Sequence, residues 1–246
     1  MFSWSGDQLY GKAGLINVAL MAKIHTVEWP PAILPHPIVA TGLRANWTGL
    51  SGEGLQDALE FWDESEILGG IVGFSADHHA APYSLTEEFV AAYRMHPLMP
   101  GEFVFRSAKS GEVLETLEPP DTSGRKARPI AARILMTDLF YLFGVSHPGF
   151  LTLHNYPRHP HNLVSDNGEP MDLAAIGSLR DREQGVPCYN QFRCLLREEP
   201  VNSFEELITN AAWREELRRV CDNDLEKVDL MTGLYAEPLP QGFGFS

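Results

Sequence analysis

SLTEEFVAAYRMHPLMP, residues 84–100, contains signals for the start, the apolar face and the end of a helix. Ser84 and Glu87 have the spacing of a capping box, in which the serine oxygen accepts a backbone N–H and the glutamate reaches back to the cap residue. A helix is therefore predicted to begin here. Pro97 disfavours helical geometry at the residue before it, so the helix is predicted to end at or near His96.

The residues on one face of this predicted helix include a tyrosine and a histidine near its C-terminal end. They are Leu85, Phe89, Ala92, Tyr93 and His96. Their spacing follows the 3.6-residue period of a helix, and we expect this face to look inward. Tyr93 and His96 are therefore candidate functional side chains. For Tyr93 the alternative is a buried tyrosine whose hydroxyl is hydrogen-bonded for structural reasons.

Charge and composition narrow the class of protein. A chain of 246 residues with 44% hydrophobic and 10% aromatic residues has the material for one large globular domain, predicted to span residues 1–246. The formal net charge of −14 repels phosphate backbones and anionic membrane surfaces, so nucleic acid is not an expected partner.

The sequence carries no signal for secretion or membrane insertion. The apolar segment near residue 20 is interrupted by Asn17 and Lys23 and is shorter than the roughly 20 residues that a membrane span needs. The N-terminus lacks the pattern of a signal peptide, and the three cysteines have neither CxxC spacing nor an even number. We therefore expect no membrane span, no disulfide framework and a cytoplasmic location.

Helix signals recur along the chain, whereas strand signals are scarce. Apolar periodicity and capping residues predict helices at 14–29, 129–143, 171–185, 203 toward 210, 211–221 and 224–235. Asp172 is expected near the start of the third, and Ser203 with Glu206 forms a capping box that opens the fourth. The first of these helices is apolar nearly all round, so it is predicted to be buried and to end at Pro30. The polar segment 107–128 is predicted to be a surface excursion. The predicted fold class is mainly α.

Histidines elsewhere offer alternative metal or catalytic sites. His25 lies four residues before Trp29, which it can contact, and a hydrogen-bonded core histidine is favoured over a ligand or a base. Adjacent side chains diverge in DHH at 77–79, which favours a solvated loop over a metal site. Prolines beside His159 and His161 favour an exposed loop there.

Seven stretches, in chain order, resemble the animal-type haem peroxidase superfamily, which contains myeloperoxidase-like peroxidases, cyclooxygenases and fatty-acid alpha-dioxygenases. The stretches are MAKIHTVEW (21–29), LRANW (43–47), DHHAAPYSLTEEFVAAYRMHPLMP (77–100), GVSHPGFLTLHNYPR (144–158), LRDREQGVPCYNQFR (179–193), SFEEL (203–207) and GLYAEPLPQGFGFS (233–246). The resemblance implies a mainly α, multi-helix haem peroxidase-like domain, of which this chain carries the C-terminal, proximal portion.

The resemblance also assigns site residues. His96 matches the proximal haem ligand, which binds the metal, and Arg180 matches an arginine that pairs with a haem propionate, although such an arginine can equally form a surface ion pair. Tyr93 matches the catalytic tyrosine that forms a radical in cyclooxygenases and alpha-dioxygenases, whereas true peroxidases lack it. The implied cofactor is haem b with its iron. The implied small-molecule partners are peroxide, dioxygen and a fatty acid.

Three departures from the family pattern affect the expected site. Gly177 stands where the family commonly has an Asn or Asp that hydrogen-bonds the proximal histidine, and loss of such a group typically costs about 10–100-fold in metal affinity or activity. The family's distal histidine lies on a segment before this chain, and His25 is not its equivalent. The chain also stops at GFGFS, where relatives continue, so we expect a member truncated at both ends.

Two functions follow from these observations. The first is a haem-dependent peroxidase or dioxygenase that oxidises fatty-acid-type substrates through a tyrosyl radical. The second is a catalytically inactive fragment or interaction module that retains the proximal half of the fold. Uptake of haem separates the two. A non-haem metalloprotein that uses histidines at 78, 79, 159 or 161 is a third hypothesis, which spacing supports little.

Overall fold

The computed structural model describes residues 4–50, 54, 69–70, 85–165 and 167–243. The chain divides into two compact units, the first formed by residues 1–84 with 239–244 and the second by residues 85–238 with 245–246. The single domain expected for residues 1–246 stays a prediction. The predicted cap at Ser84 and the DHH loop at 77–79 lie outside the described residues.

The described elements of the first unit are helical. They are α1 (Gly6–Lys23), a π-helical turn (Ile24–Glu28), α2 (Trp29–Ile33) and α3 (Pro37–Thr48). A capping box begins α1, in which Ser5 accepts a hydrogen bond from the backbone of Gln8 and donates its own backbone N–H to the Gln8 side chain. The predicted contact of His25 with Trp29 is confirmed, with ring centroids 5.8 Å apart.

The helix predicted at 14–29 is present, but its bounds and its burial are wrong. Helical structure begins at Gly6 and continues past Pro30. A proline is tolerated in the first turn of α2, because a backbone N–H at that position would have no acceptor within the helix. No residue of α1 is buried, and Leu15 and Ile16 are each 68% exposed. The hydrophobicity of this segment predicts a helix, but it does not show whether another element of the protein packs against that helix. None of the described helices has the length and hydrophobicity to cross a membrane.

The second unit is mainly helical, which confirms the predicted fold class. Its helices are α4 (Glu87–Ala92), α5 (Pro119–Thr122), α6 (Ala127–Arg133), α7 (Met136–Val145), α8 (Arg158–His161), α9 (Leu173–Glu183), α10 (Tyr189–Leu195), α11 (Phe204–Leu207), α12 (Ala211–Val220) and α13 (Leu230–Ala236). Short 3₁₀ turns lie at His96–Leu98, Gly124–Lys126 and Leu225–Lys227. Two antiparallel hairpins pair β1 (Phe103–Arg106) with β2 (Val113–Leu117) and β3 (Leu163–Val164) with β4 (Pro170–Met171).

The segment 107–128 is mostly exposed, as predicted, but it also contains β2 of the β1–β2 hairpin. Phe103 lies opposite Leu117, and Phe105 is buried in a small core with Ile130, Ile134 and Leu142. The helix predicted at 129–143 is in fact α6 and α7, since the backbone of Ile134 is extended between them (φ −102°, ψ 132°). The sequence contains a signal for the first strand of this hairpin, because Phe103 and Phe105 are two residues apart and would lie on the same face of a strand.

A second core gathers the C-terminal elements. Its buried members are Tyr189, Val201, Phe204, Leu207, Ile208, Leu217, Cys221, Val228 and Ala236. The predicted cap of α11 is confirmed, because the Ser203 hydroxyl accepts from the Glu206 N–H at 3.2 Å. The predicted start of α9 is confirmed as well, because Asp172 accepts from the N–H groups of Ala174 and Ala175. Local cap chemistry therefore predicts these helix starts well.

Candidate functional site

The helix that precedes Tyr93, α4, begins and ends inside its predicted bounds. Its cap is Thr86, whose hydroxyl accepts from the Phe89 N–H at 3.1 Å, and the last helical residue is Ala92. Tyr93 has already left the helix (φ −85°, ψ 41°). Pro97 contributes to this early end, because it has no N–H to donate to the carbonyl of Tyr93. The prediction of one continuous helical face from Leu85 to His96 is therefore wrong.

His96 instead begins a 3₁₀ turn that buried groups hold in place. Pro97 is fully buried, and the Met99 N–H donates to the His96 carbonyl at 2.9 Å. Gly149 packs against the same turn, since its N–H donates to the Leu98 carbonyl at 3.1 Å. The backbone of the histidine is thus fixed by its neighbours on both sides.

The imidazole of His96 is partly buried, and its Nδ1 atom is inaccessible to solvent. Within the described part of the chain, Nδ1 has no hydrogen-bond partner. Burial lowers the pKa of His96, and the positive charge of Arg94 lowers it further. Both effects favour the neutral imidazole, which is the form that can bind iron.

Tyr93 lies at the surface of its unit rather than inside it. Its ring stacks on Phe89 with centroids 5.1 Å apart and planes within 10°, and its side chain is 39% exposed. Partial burial raises the pKa of Tyr93, so the phenol keeps its proton at neutral pH. The expectation of an inward-facing phenol is wrong for the described structure, in which the buried residue of α4 is Ala91.

Between Tyr93 and His96, Arg94 forms a buried ion pair that the sequence did not predict. Its Nη2 lies 3.1 Å from Oδ1 of Asp181 on α9, and the two side chains are only 11% and 6% exposed. Burial raises the pKa of Asp181, and the charge of Arg94 opposes this effect. The backbone carbonyl of Arg94 also accepts a hydrogen bond from the Tyr235 hydroxyl on α13. Arg94 therefore ties the turn to two other helices.

Gly177 leaves the space that the Arg94 guanidinium occupies. A Cβ atom at this position would lie 2.4 Å from Nη1 of Arg94, which is closer than real contacts allow. Gly177 is itself buried within α9, one helical turn before Asp181. The glycine that departs from the family pattern thus accommodates the buried ion pair.

Tyr156 packs against the His96 ring on another side. The two ring centroids are 5.4 Å apart with planes inclined by 30°. The far side of Tyr156 meets the edge of His161, whose Nδ1 lies 3.0 Å from the Asp172 carboxylate. The Tyr156 hydroxyl is buried and has no hydrogen-bond partner among the described residues. Sequence reasoning noted its neighbour His161 but gave Tyr156 no role.

Arg180, the predicted partner of a haem propionate, forms a bidentate ion pair with Glu87 of α4. Its Nη2 lies 3.0 Å from both carboxylate oxygens, and the two side chains are 52% and 36% exposed. An exposed pair of this kind contributes about 0–1 kcal/mol. The role of Arg180 toward haem stays a prediction.

The histidine and its surroundings fit a haem group. Porphyrin supplies its own nitrogen donors to iron, so the protein needs to add only an axial ligand such as a neutral imidazole. His96 meets this need through its lowered pKa and its position in a fixed turn. Across the described residues, no group of three or more His, Cys, Asp or Glu side chains is arranged to hold a bare metal ion.

Comparison with known proteins identifies relatives over nearly the whole chain. The family model of the animal haem peroxidases matches residues 2–244. Alpha-dioxygenase 2 of Arabidopsis thaliana is 37% identical over 98% of this chain, which spans 40% of the length of that protein. The chain thus covers well under half of this curated relative.

Solved structures give the same result. The crystal structure of the Arabidopsis thaliana fatty acid alpha-dioxygenase matches with a TM-score of 0.84 and 35% identity, over 99% of this chain and 40% of the other. An Oryza sativa fatty acid alpha-dioxygenase variant, with one tyrosine replaced by phenylalanine and with palmitic acid, matches with a TM-score of 0.83 and 35% identity, over 99% and 42% of the two chains.

Proposed function

The chain belongs to the animal haem peroxidase family, and from this membership we propose that it acts in the haem-dependent oxidation of fatty acids. The observation that carries the proposal is the placement of Tyr93 at the end of α4 and of His96 three residues later, at the start of the 3₁₀ turn, in a chain similar to fatty acid alpha-dioxygenases along 98–99% of its length. The matched relatives agree with the cyclooxygenase and alpha-dioxygenase branch of the family.

In this proposal His96 would hold haem b, because its neutral imidazole can offer a nitrogen lone pair to iron. The buried Pro97 and the Arg94–Asp181 pair hold the backbone around it in position. Arg180 would bind a haem propionate in place of Glu87. The exchange costs little, because the exposed ion pair that it gives up contributes about 0–1 kcal/mol.

Tyr93 is proposed to take a hydrogen atom from the substrate. When bound, haem oxidised by peroxide would supply the oxidant, accepting the electron and the proton of the Tyr93 phenolic hydrogen. The Tyr93 radical would then take a hydrogen atom from a carbon of the fatty acid, so that the phenol is restored and dioxygen can add to the carbon radical. The raised pKa of Tyr93 keeps the O–H bond intact beforehand.

Replacing Tyr93 by phenylalanine tests this function. With haem-loaded protein and peroxide, we expect the wild-type chain to consume oxygen when palmitic acid is added, and the Tyr93→Phe variant to consume it only at the rate of the buffer blank. The absorption spectrum of the bound haem should be the same in both, because the ring that stacks on Phe89 is retained.

Tyr10→Phe is the matched control, since Tyr10 is 84% exposed on α1. It should consume oxygen like the wild type. Oxygen uptake by Tyr93→Phe at the wild-type rate would contradict the role of the tyrosine. Failure of the wild-type chain to take up haem would contradict the proposed function and favour an interaction module.

A further inference from the structure

Two buried polar atoms without partners lie in one pair of touching rings. They are Nδ1 of His96 and the hydroxyl oxygen of Tyr156, and no other described residue has a buried side-chain nitrogen or oxygen without a partner. The ring centroids of His96 and Tyr156 are 5.4 Å apart. Buried polar groups in folded proteins are nearly always hydrogen-bonded, because an unmade bond leaves the cost of desolvation uncompensated. Each of the two atoms therefore needs a hydrogen-bond partner, and the two belong to neighbouring rings.

At position 177, the family resemblance leads us to expect a side chain that hydrogen-bonds the proximal histidine, and this chain has no such side chain there. Gly177 has no side chain, and the Arg94 guanidinium occupies the space where one would begin. Asp181 holds that guanidinium in place at 3.1 Å. Arg94 cannot itself accept a hydrogen bond from the imidazole, because all its nitrogen atoms are donors.

A phenol oxygen, in contrast, can accept a hydrogen bond. Tyr156 is supported for this role from its other side, where the edge contact with His161 and the bond from His161 to Asp172 limit the movement of its ring. The ring of Tyr156 already touches the ring of His96, with centroids 5.4 Å apart, and the terminal torsions of both rings are broad.

We propose that Tyr156 is the positioning residue of His96, and that its hydroxyl oxygen accepts the hydrogen bond of the His96 Nδ1–H group. This bond would favour the tautomer in which Nε2 carries the lone pair, which is the form that could bind iron through Nε2. The inference rests on the proposed role of His96 as haem ligand.

The tautomer of His96 in the chain without haem tests this proposal. In protein labelled with ¹⁵N-histidine, at a pH where the imidazole is neutral, NMR should find the proton of His96 mainly on Nδ1. In Tyr156→Phe, which keeps the ring, we expect the ratio of the Nδ1–H to the Nε2–H tautomer to fall by about fivefold, as loss of one neutral hydrogen bond predicts.

Tyr235→Phe is the matched control, because the Tyr235 hydroxyl bonds the backbone carbonyl of Arg94 in the same turn. It should leave the tautomer ratio of His96 unchanged. An unchanged ratio in Tyr156→Phe, or an equal change in both variants, would overturn the proposal. A wild-type proton mainly on Nε2 would overturn it even if a variant failed to fold.

Haem titration of the same samples separates this inference from the proposed function. If the wild-type chain takes up no haem but Tyr156→Phe changes the tautomer ratio, the function is wrong and the positioning role stands. If haem binds through His96 but the ratio does not change, the function stands and the positioning role is wrong. With haem bound, the iron–histidine vibration in the Raman spectrum should fall to lower frequency in Tyr156→Phe, because the ligand becomes less basic.

Discussion

Asp181→Asn is expected to lower the free energy of unfolding by about 3–5 kcal/mol, the cost of removing one partner from a buried ion pair. The substitution keeps the shape of the side chain but leaves the Arg94 guanidinium, whose side chain is only 11% exposed, without a counter-charge. Because the carbonyl of Arg94 also bonds Tyr235, the effect should spread to the turn that holds His96. Urea unfolding followed by circular dichroism measures the change.

Glu87→Gln is the matched control for this prediction. This substitution removes the acidic partner of Arg180, which precedes Asp181 on α9 and has a side chain that is 52% exposed. Solvent screens such a pair, so we expect a loss of about 0–1 kcal/mol. If Asp181→Asn cost no more than Glu87→Gln, the buried pair would not hold the turn. Replacing both Arg94 and Asp181 by apolar residues should recover much of the loss, since no unpaired charge then remains.

Gly149→Ala is expected to cost about 1–3 kcal/mol, the usual range for forcing an extra carbon into a packed site. A Cβ atom on Gly149 would lie 2.1 Å from the carbonyl oxygen of Pro97. The neighbour is backbone, so the His96–Leu98 turn itself must move. In the haem-loaded protein, the variant should therefore also change the absorption spectrum of the bound haem.

Gly144→Ala provides the comparison, only five residues away. Nothing lies within 4 Å of a Cβ built on Gly144, which is inside the α7 helix Met136–Val145. Alanine is favoured over glycine in a helix by about 0.5–1 kcal/mol, so this variant should be as stable as the wild type or more stable. Equal stability of the two variants would show that Gly149 does not need to be small.

The sequence predicted the features that depend on neighbouring residues. Asp172 and Ser203 were identified as helix starts because a cap and the N–H groups that it binds lie within three residues of each other. The family resemblance and the mainly α fold followed from motifs of the same local kind, and both are confirmed.

The surroundings of His96 could not be predicted in this way. Arg94 and Asp181 are 87 positions apart, and no local pattern predicts that they meet. The contact of Tyr156 with His96 likewise depends on how separate elements pack. The sequence suggests that Gly177 removes a hydrogen-bond partner of His96. In the structure, the missing side chain of Gly177 makes room for the Arg94 guanidinium. The exposure of α1 could not be predicted for a related reason, because the hydrophobicity of a helix does not show whether another element packs against it.

Ligation of haem iron by His96 can be measured by pulsed electron paramagnetic resonance of the ferric, haem-loaded chain labelled with ¹⁵N-histidine. We expect a coupling from one histidine nitrogen to the iron. This coupling should be lost in His96→Ala and kept in His154→Ala, which removes a half-exposed histidine paired with Glu216. A wild-type spectrum without histidine coupling, or the same coupling in His96→Ala, would contradict ligation of the iron by His96.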